Sequence, residues 1–177
     1  TAENLVDMYE IEREAQDKFS VWSQQKAAKA ASSGRHAEEI VPYSIPQKKK
    51  DPIVFAKDEF ARPETTLESL SALRPAFKKD GTVTAGNASG LNDGAAALLL
   101  ASGEAVEKHK LKPLAKIVGA AVAGVEPRIM GIGPVYAIEK VLKRTGLTLD
   151  QMDILELNEA FAAQVLACTR KLGVADD

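Results

Sequence analysis

The feature that most constrains this chain is residues 158–172. Ala160, Phe161, Ala162, Ala163, Val165, Leu166, Ala167 and Cys168 wrap apolar side chains around most of a helical circumference. A helix without a polar face has to be covered on all sides. It is preceded by Ile154-Leu155-Glu156-Leu157, which reads as a strand, and followed by Gly173, a helix stop. Asn158, between strand and helix, is expected to cap the helix, and Glu159 in the first turn is favoured by the helix dipole.

The same alternation runs backwards from there. Pro134 sits at a helix N1 position, Ile138, Val141 and Leu142 form the stripe, and Gly146 ends it. Residues 114–122, rich in Val, Ile and Ala, read as a strand, and Ser102 is placed to cap a short helix reaching His109. The apolar run 95–100 fits either a strand or a buried helix. At the other end, Ile11, Ala15, Phe19 and Trp22 give one stripe to a helix over residues 2–33, with Asp17, Lys18, Gln24 and Lys29 largely on its opposite side and Gly34 as its stop. Residues 35–82 differ. Two short strands, 40–45 and 53–55, flank a Lys48-Lys49-Lys50 tip, and Pro63 and Pro75 bracket a short helix around Leu67, Leu70 and Leu73. This stretch reads as an excursion out of a larger fold. Strand–helix alternation on both sides of it predicts a layered α/β architecture.

Composition narrows the function classes. With 23 Lys+Arg against 25 Asp+Glu in 177 residues, there is no excess of cations to displace counterions from nucleic acid. One cysteine permits no internal disulfide and fits a reducing compartment. With only His36 and His109 beside it, a typical zinc cluster is not expected. No stretch approaches the roughly 20 apolar residues of a membrane span, and no signal segment opens the chain. These absences point to the cytoplasm, with an organellar matrix left open. Cys168, inside the apolar helix, reads as an inert core thiol. No nucleophile–base pair is visible.

Three stretches carry candidate chemistry. Gly81-Thr82-Val83-Thr84-Ala85-Gly86-Asn87-Ala88-Ser89-Gly90-Leu91-Asn92-Asp93-Gly94 is dominated by small residues. It reads either as a tight loop or as a place where a ligand approaches the backbone; its glycine order matches neither dinucleotide nor P-loop patterns. In Asn158-Glu159-Ala160-Phe161, Asn158 reads either as a cap or as a polar group at the carboxyl end of a strand, where open α/β sheets bind ligands. Met130-Gly131-Ile132-Gly133-Pro134 reads as a loop-to-helix junction, with Met130 in the core or lining a pocket.

These stretches resemble the thiolases, the acetyl-CoA acetyltransferases and 3-ketoacyl-CoA thiolases. The glycine-rich stretch resembles that family's coenzyme-A loop, and Asn158-Glu159-Ala160-Phe161-Ala162-Ala163-Gln164 its Asn-Glu-Ala-Phe motif. Thr1-Ala2-Glu3-Asn4, Leu73-Arg74-Pro75-Ala76-Phe77 and the Met130 stretch match further thiolase segments in the expected order. The resemblance implies a layered thiolase-like fold, present in part, with an inserted CoA-binding loop domain. Residues 1–82 would be the end of the first half with most of the loop domain, 83–112 the CoA loop and the return to that half, and 113–177 the start of the second half.

The implied activity is acyl transfer between CoA thioesters, either thiolysis of 3-ketoacyl-CoA or Claisen condensation of acetyl-CoA, through a cysteine acyl-enzyme. CoA thioesters are substrates, and no cofactor is implied. Asn158 matches the Asn that orients an oxyanion-hole water together with a His. Ser89 matches the serine that bonds the pantetheine arm, and Arg62 the arginine at the nucleotide end. Ser69, Leu73, Ala76, Phe77 and Ala85 match CoA-lining positions, while Met130, Ala160 and Phe161 match positions near the reacting thioester. A ketosynthase-type relative fits less well, because Asn-Glu-Ala-Phe comes together with the loop excursion.

In that family the nucleophilic cysteine lies upstream of the segment matching Thr1. The Gly-His-Pro histidine and the second cysteine lie downstream of the segment matching Asp177, and Cys168 matches neither cysteine. The resemblance therefore implies an internal piece of a thiolase, a homodimer or homotetramer when complete. The alternative is a non-catalytic CoA-binding or subunit-interaction module. Within the piece, the apolar faces around 95–100 and 160–168 are expected to lie uncovered. The 177-residue chain alone should show no thiolysis above background. A covalent acyl-protein formed from acetyl-CoA in a single turnover would contradict this.

Overall fold

The computed structural model describes residues 1–175, so the last two residues of the 113–177 unit lie outside the described residues. Helices α1 (Ala2–Tyr9) and α2 (Arg13–Ser32) lead into a hairpin of β1 (Tyr43–Gln47) and β2 (Lys50–Phe55) and the short α3 (Leu67–Ser71). Then come α4 (Gly103–Lys108), α5 (Gly133–Thr145) and α6 (Ala162–Leu172).

The apolar helix is the centre of the molecule. Residues 162–169 of α6 are all buried, packed by α1, α2, α5 and the 3-10 turn Pro127–Ile132. Leu5, Val6, Ile11, Phe19, Val83, Ile132 and Val135 close the same core around them. The expectation that 160–168 would lie uncovered is therefore corrected, because α1 and α2 supply the apolar faces that cover it. Gly131 approaches α6 so closely that a Cβ there would lie 2.9 Å from Gln164 Cγ and 2.9 Å from Leu5 Cδ1.

Local signals hold at several ends. Ser102 Oγ accepts the Ala105 N–H at the start of α4. Pro134 opens α5, and Gly146 and Gly173 adopt left-handed conformations after α5 and α6. The hairpin is antiparallel, with Gln47 opposite Lys50 and Lys49 left-handed at the tip. Its register slips between Ile45 and Gln47, where Pro46 has no N–H to give to the ladder.

Four expectations are corrected. The helix over 2–33 is two helices. Glu10 turns left-handed (φ 51°) and closes α1 by donating its N–H to Val6 O, which swings Ile11 into the core. Asp17 does not face solvent; it is 1% exposed and bonded on two sides. Asn158 does not cap α6, which begins at Ala162 after Phe161. Finally, residues 95–100, 114–122 and 154–157 form neither helix nor strand. Leu98 is 89% exposed and Leu114 100%. A strand needs a neighbour for its N–H and C=O groups, and these segments do not pair with one another among the described residues. The segment 119–122 lies instead along α5, whose Lys140 and Arg144 donate to Val122 O (3.0 Å) and Ala120 O (3.0 Å). No helix among the described residues is long and apolar enough to cross a membrane.

Cys168 is fully buried, its Sγ 3.4 Å from Gly131 O and 3.7 Å from Gln164 Nε2. Burial pushes its thiol pKa up, partly opposed by the Gln164 amide. A raised folded pKa means that the thiol's contribution to stability is complete below the ordinary value of 9.0 and is lost as pH rises through the folded value. The thiol should react with a disulfide reagent at pH 8 far more slowly in the native protein than in denaturant. Equal rates would contradict the buried, neutral thiol.

Candidate functional site

The glycine-rich loop and the Asn158–Phe161 junction meet backbone to backbone. Ser89 N–H donates to Ala160 O (3.0 Å), Ala162 N–H donates to Asn87 O (3.0 Å), and Ala88 and Phe161 form an antiparallel bridge. The contact satisfies part of the open end of α6 and extends the loop across it. A third segment joins them. Ala76 N–H donates to Val83 O (2.9 Å), and the Phe77 ring stands edge-on to Phe161 with centroids 6.1 Å apart.

One contact group results, made of the 70–77 segment, the glycine-rich loop and the Ala160–Phe161 junction. Gly86 is the close approach that makes this possible: a Cβ there would lie 2.5 Å from Leu70 Cδ2 and 2.6 Å from Leu73 Cδ1. Asn158 is exposed beside it, its carbonyl accepting the Ala160 N–H (3.0 Å) in a tight turn. Ser69 belongs to the same strip through α3, but its hydroxyl is engaged in a capping box with Thr66. Arg62 is exposed, with its backbone N–H held by Gln24 Oε1 of α2 (2.8 Å). Met130 is exposed on the turn Pro127–Ile132.

Residues that sequence reasoning missed hold this group in place. Glu3 Oε1 accepts the N–H groups of Thr82 (2.9 Å) and Val83 (2.8 Å). Gln16 Nε2 donates to Thr82 Oγ1 (2.8 Å). Asn87 accepts the Thr84 N–H (2.8 Å) and donates to Thr82 O (3.1 Å) and Asp17 Oδ1 (3.0 Å). Glu159 does not sit in the first turn of α6; Ser23 Oγ donates to it (2.5 Å), and Lys26 is 3.6 Å away while also lying over the Trp22 ring. One sequence signal was available: Arg13, Gln16, Asp17, Ser20 and Gln24 fall on one side of α2 at helical spacing, which marks a polar face as readily buried as exposed.

Ser89 and Asn158 are both exposed next to this contact, and Ser89 also lines a cleft with Ser23, Gln24, Phe60, Asn87 and Glu159. An apolar contact group with polar side chains beside it suits a long, mostly apolar arm carrying occasional amides. This one contains no nucleophile–base pair. His36 lies on the 3-10 turn His36–Glu38 and His109 at the end of α4. Among the described residues no three His, Cys, Asp or Glu side chains converge as metal ligands would.

An α/β chain that folds a glycine-rich loop across the helix following an Asn-Glu-Ala-Phe turn defines a narrow class of protein. The sequence matches the thiolase N-terminal domain family over residues 1–104 and the thiolase C-terminal domain family over 111–177. The chain belongs to the thiolase family. It is 58% identical to the beta-ketoadipyl-CoA thiolase of Acinetobacter baylyi over all 177 of its residues, which cover 44% of that protein. Its fold superposes on the crystal structure of the Bacillus anthracis acetyl-CoA acetyltransferase with a TM-score of 0.93 at 53% identity, over 98% of this chain and 44% of that one. A human mitochondrial 3-ketoacyl-CoA thiolase, solved in complex with CoA, matches with a TM-score of 0.90 at 51% identity, over 98% of this chain and 43% of its own. The chain thus spans less than half the length of these relatives, and its fold is the corresponding part of the thiolase fold.

The Glu3 anchor can be tested directly. Glu3→Ala leaves two N–H groups of the loop without their acceptor and should cost about 1–3 kcal/mol for each orphaned donor. Glu3→Gln keeps an acceptor oxygen and should cost much less. Urea unfolding of both variants reads the difference, and equal losses would remove the anchor role.

Proposed function

We propose that this chain supplies the coenzyme-A wall and one arm of the oxyanion hole to a thiolase-type acyltransferase. The reaction is acyl transfer between CoA thioesters, by 3-ketoacyl-CoA thiolysis or acetyl-CoA Claisen condensation. The cysteine nucleophile and the partner histidine come from outside these 177 residues. The reading is carried by one observation: loop residues 87–89 are bonded backbone to backbone to residues 160–162, which brings the glycine-rich loop against the junction that follows Asn158.

In this reading Ser89 bonds the pantetheine arm, while Leu73, Ala76, Phe77 and Ala85 line it. Ser69 borders the same wall, and Arg62 meets the nucleotide end. Met130, Ala160 and Phe161 surround the thioester. Asn158 holds the water that, with the histidine, stabilises the thioester oxyanion. CoA thioesters are the substrates and no further cofactor takes part. Residues 1–82 serve as the end of the first half with most of the loop domain, 83–112 as the CoA loop and the return to that half, and 113–177 as the opening of the second half, in an assembly of two or four copies. The presence of CoA in the human relative's structure supports the ligand assignment.

Because Asn158 lies four residues before α6, its substitution should leave the helix end intact. Asn158→Asp would set a carboxylate beside the developing oxyanion, which is repulsive where bulk water is excluded. In the protein as its gene encodes it, kcat for thiolysis should fall roughly 10-fold or more. The melting temperature should move little. Steady-state kinetics beside a thermal melt make the test, and unchanged kcat would remove Asn158 from the mechanism.

A further inference from the structure

Beside the proposed CoA wall lies an ionic link between the buried Asp17 and the partly exposed Arg13, neither of them among the residues assigned to the ligand. Asp17 Oδ2 accepts from Arg13 Nε (2.7 Å), and Asp17 Oδ1 accepts from Asn87 Nδ2 (3.0 Å). The Arg13 guanidinium continues to the next segment, where Nη2 donates to Leu70 O (2.6 Å) and Leu73 O (3.1 Å). Asn87 continues the other way, its backbone carbonyl accepting the Ala162 N–H at the start of α6 (3.0 Å). One carboxylate therefore ties the 70–73 strip to the glycine-rich loop, and through the loop to the Ala160–Phe161 junction.

These are the three segments that carry the wall. Gly86 touches Leu70 and Leu73 with no room for a Cβ, so the strip cannot move inward. Arg13 holds the carbonyls of the same two residues, so it cannot move outward. We propose that Arg13 and Asp17 are positioning residues for coenzyme-A binding, fixing the distance between the Leu73 side and the Ala85–Ser89 side of the wall. This rests on the CoA reading above. A mere surface pair would not have this geometry, because Asp17 is 1% exposed and its two oxygens face donors from two different segments. Only a group that accepts on both sides fits. Loss of the link would let the two sides drift, and a ligand that touches both would then bind less tightly.

Asp17→Asn is the sharpest variant. It keeps the shape, but whichever way its amide is turned, an NH2 group faces either Arg13 Nε–H or Asn87 Nδ2–H, so one link is lost. In the protein as its gene encodes it, the Kd for CoA by calorimetry and the KM for CoA in thiolysis should rise about 10-fold, the size of one lost charge-assisted hydrogen bond. KM should rise by more than kcat falls. A purely structural role would lower the melting temperature and the active fraction and leave both constants of the folded fraction where they were.

Arg13→Lys is the second variant. A single ammonium cannot keep Asp17 and both carbonyls at once, so Kd should rise in the same direction. It also decides the matter if Asp17→Asn does not fold. Wild-type protein that binds no CoA would overturn both the proposed function and this inference. Wild-type binding with Kd and KM unaltered in the folded variants would overturn the inference alone.

Discussion

A carboxylate taken out of water costs several kcal/mol unless charge and hydrogen bonds replace its hydration. Asp17 has both, from Arg13 and Asn87, and the arrangement of this molecule follows from that replacement. α2 is buried on two sides. Its Phe19 side packs on α6 in the apolar core, and its Gln16–Asp17–Ser20 side is covered by loops. The loops gain fixed positions from it. Residues 81–90 belong to no named strand, so their backbone groups have to be answered elsewhere; Glu3 and Asn87 answer four of them, while Gln16 and Asp17 hold the side chains of Thr82 and Asn87. Binding groups on irregular backbone are thus held by side chains of regular helices.

α6 links the core to the wall. Its open N-terminal end would leave donors without partners, and Asn87 O takes one of them. The first turn of the most buried helix is therefore completed by the proposed ligand-binding loop rather than by a capping side chain. Displacement of the loop exposes a helix end above a dry core, which ties the geometry of the wall to the stability of the whole. Gly131 contributes as well, since its lack of a Cβ lets the Pro127–Ile132 turn come close to both Gln164 of α6 and Leu5 of α1.

The sequence was legible where a signal is local. Ser102, Pro134, Gly146 and Gly173 each mark a helix end through the geometry of one or two residues, and the hairpin is marked by its flanks and its lysine tip. The motif-bearing stretches were legible by resemblance, and the structure brings the glycine-rich loop into backbone contact with the Ala160–Phe161 junction and sets Phe77 edge-on to Phe161. Long-range pairing was not legible. Asp17 looked like a solvent residue because a helical wheel shows which residues share a face and not what covers that face. Asn158 looked like a cap because its type and position fitted. The helix start moved to Ala162 because Asn87, over seventy positions away in sequence, supplies the acceptor. The break at Glu10 had no glycine to announce it; burial of Ile11 favours the turn despite the left-handed residue.

The segments 95–100 and 160–168 are comparably apolar and end in opposite environments. The difference lies in what each element needs. A helix satisfies its backbone internally, so α6 needs only apolar cover, and α1, α2 and α5 provide it within the chain. A strand satisfies its backbone only through neighbours. Residues 95–100, 114–122 and 154–157 find none among the described residues, and Leu98, Leu99, Ile117, Val118 and Ile154 are exposed as a result. In relatives more than twice as long, the matched region is less than half of the protein. Helical core and loop are thus held by contacts inside this chain, whereas the strand-like segments find no pairing partner among the described residues. The proposed CoA surface stands on the self-contained side of that division, because each of its anchors, Glu3, Arg13, Gln16, Asp17 and Asn87, lies within the chain.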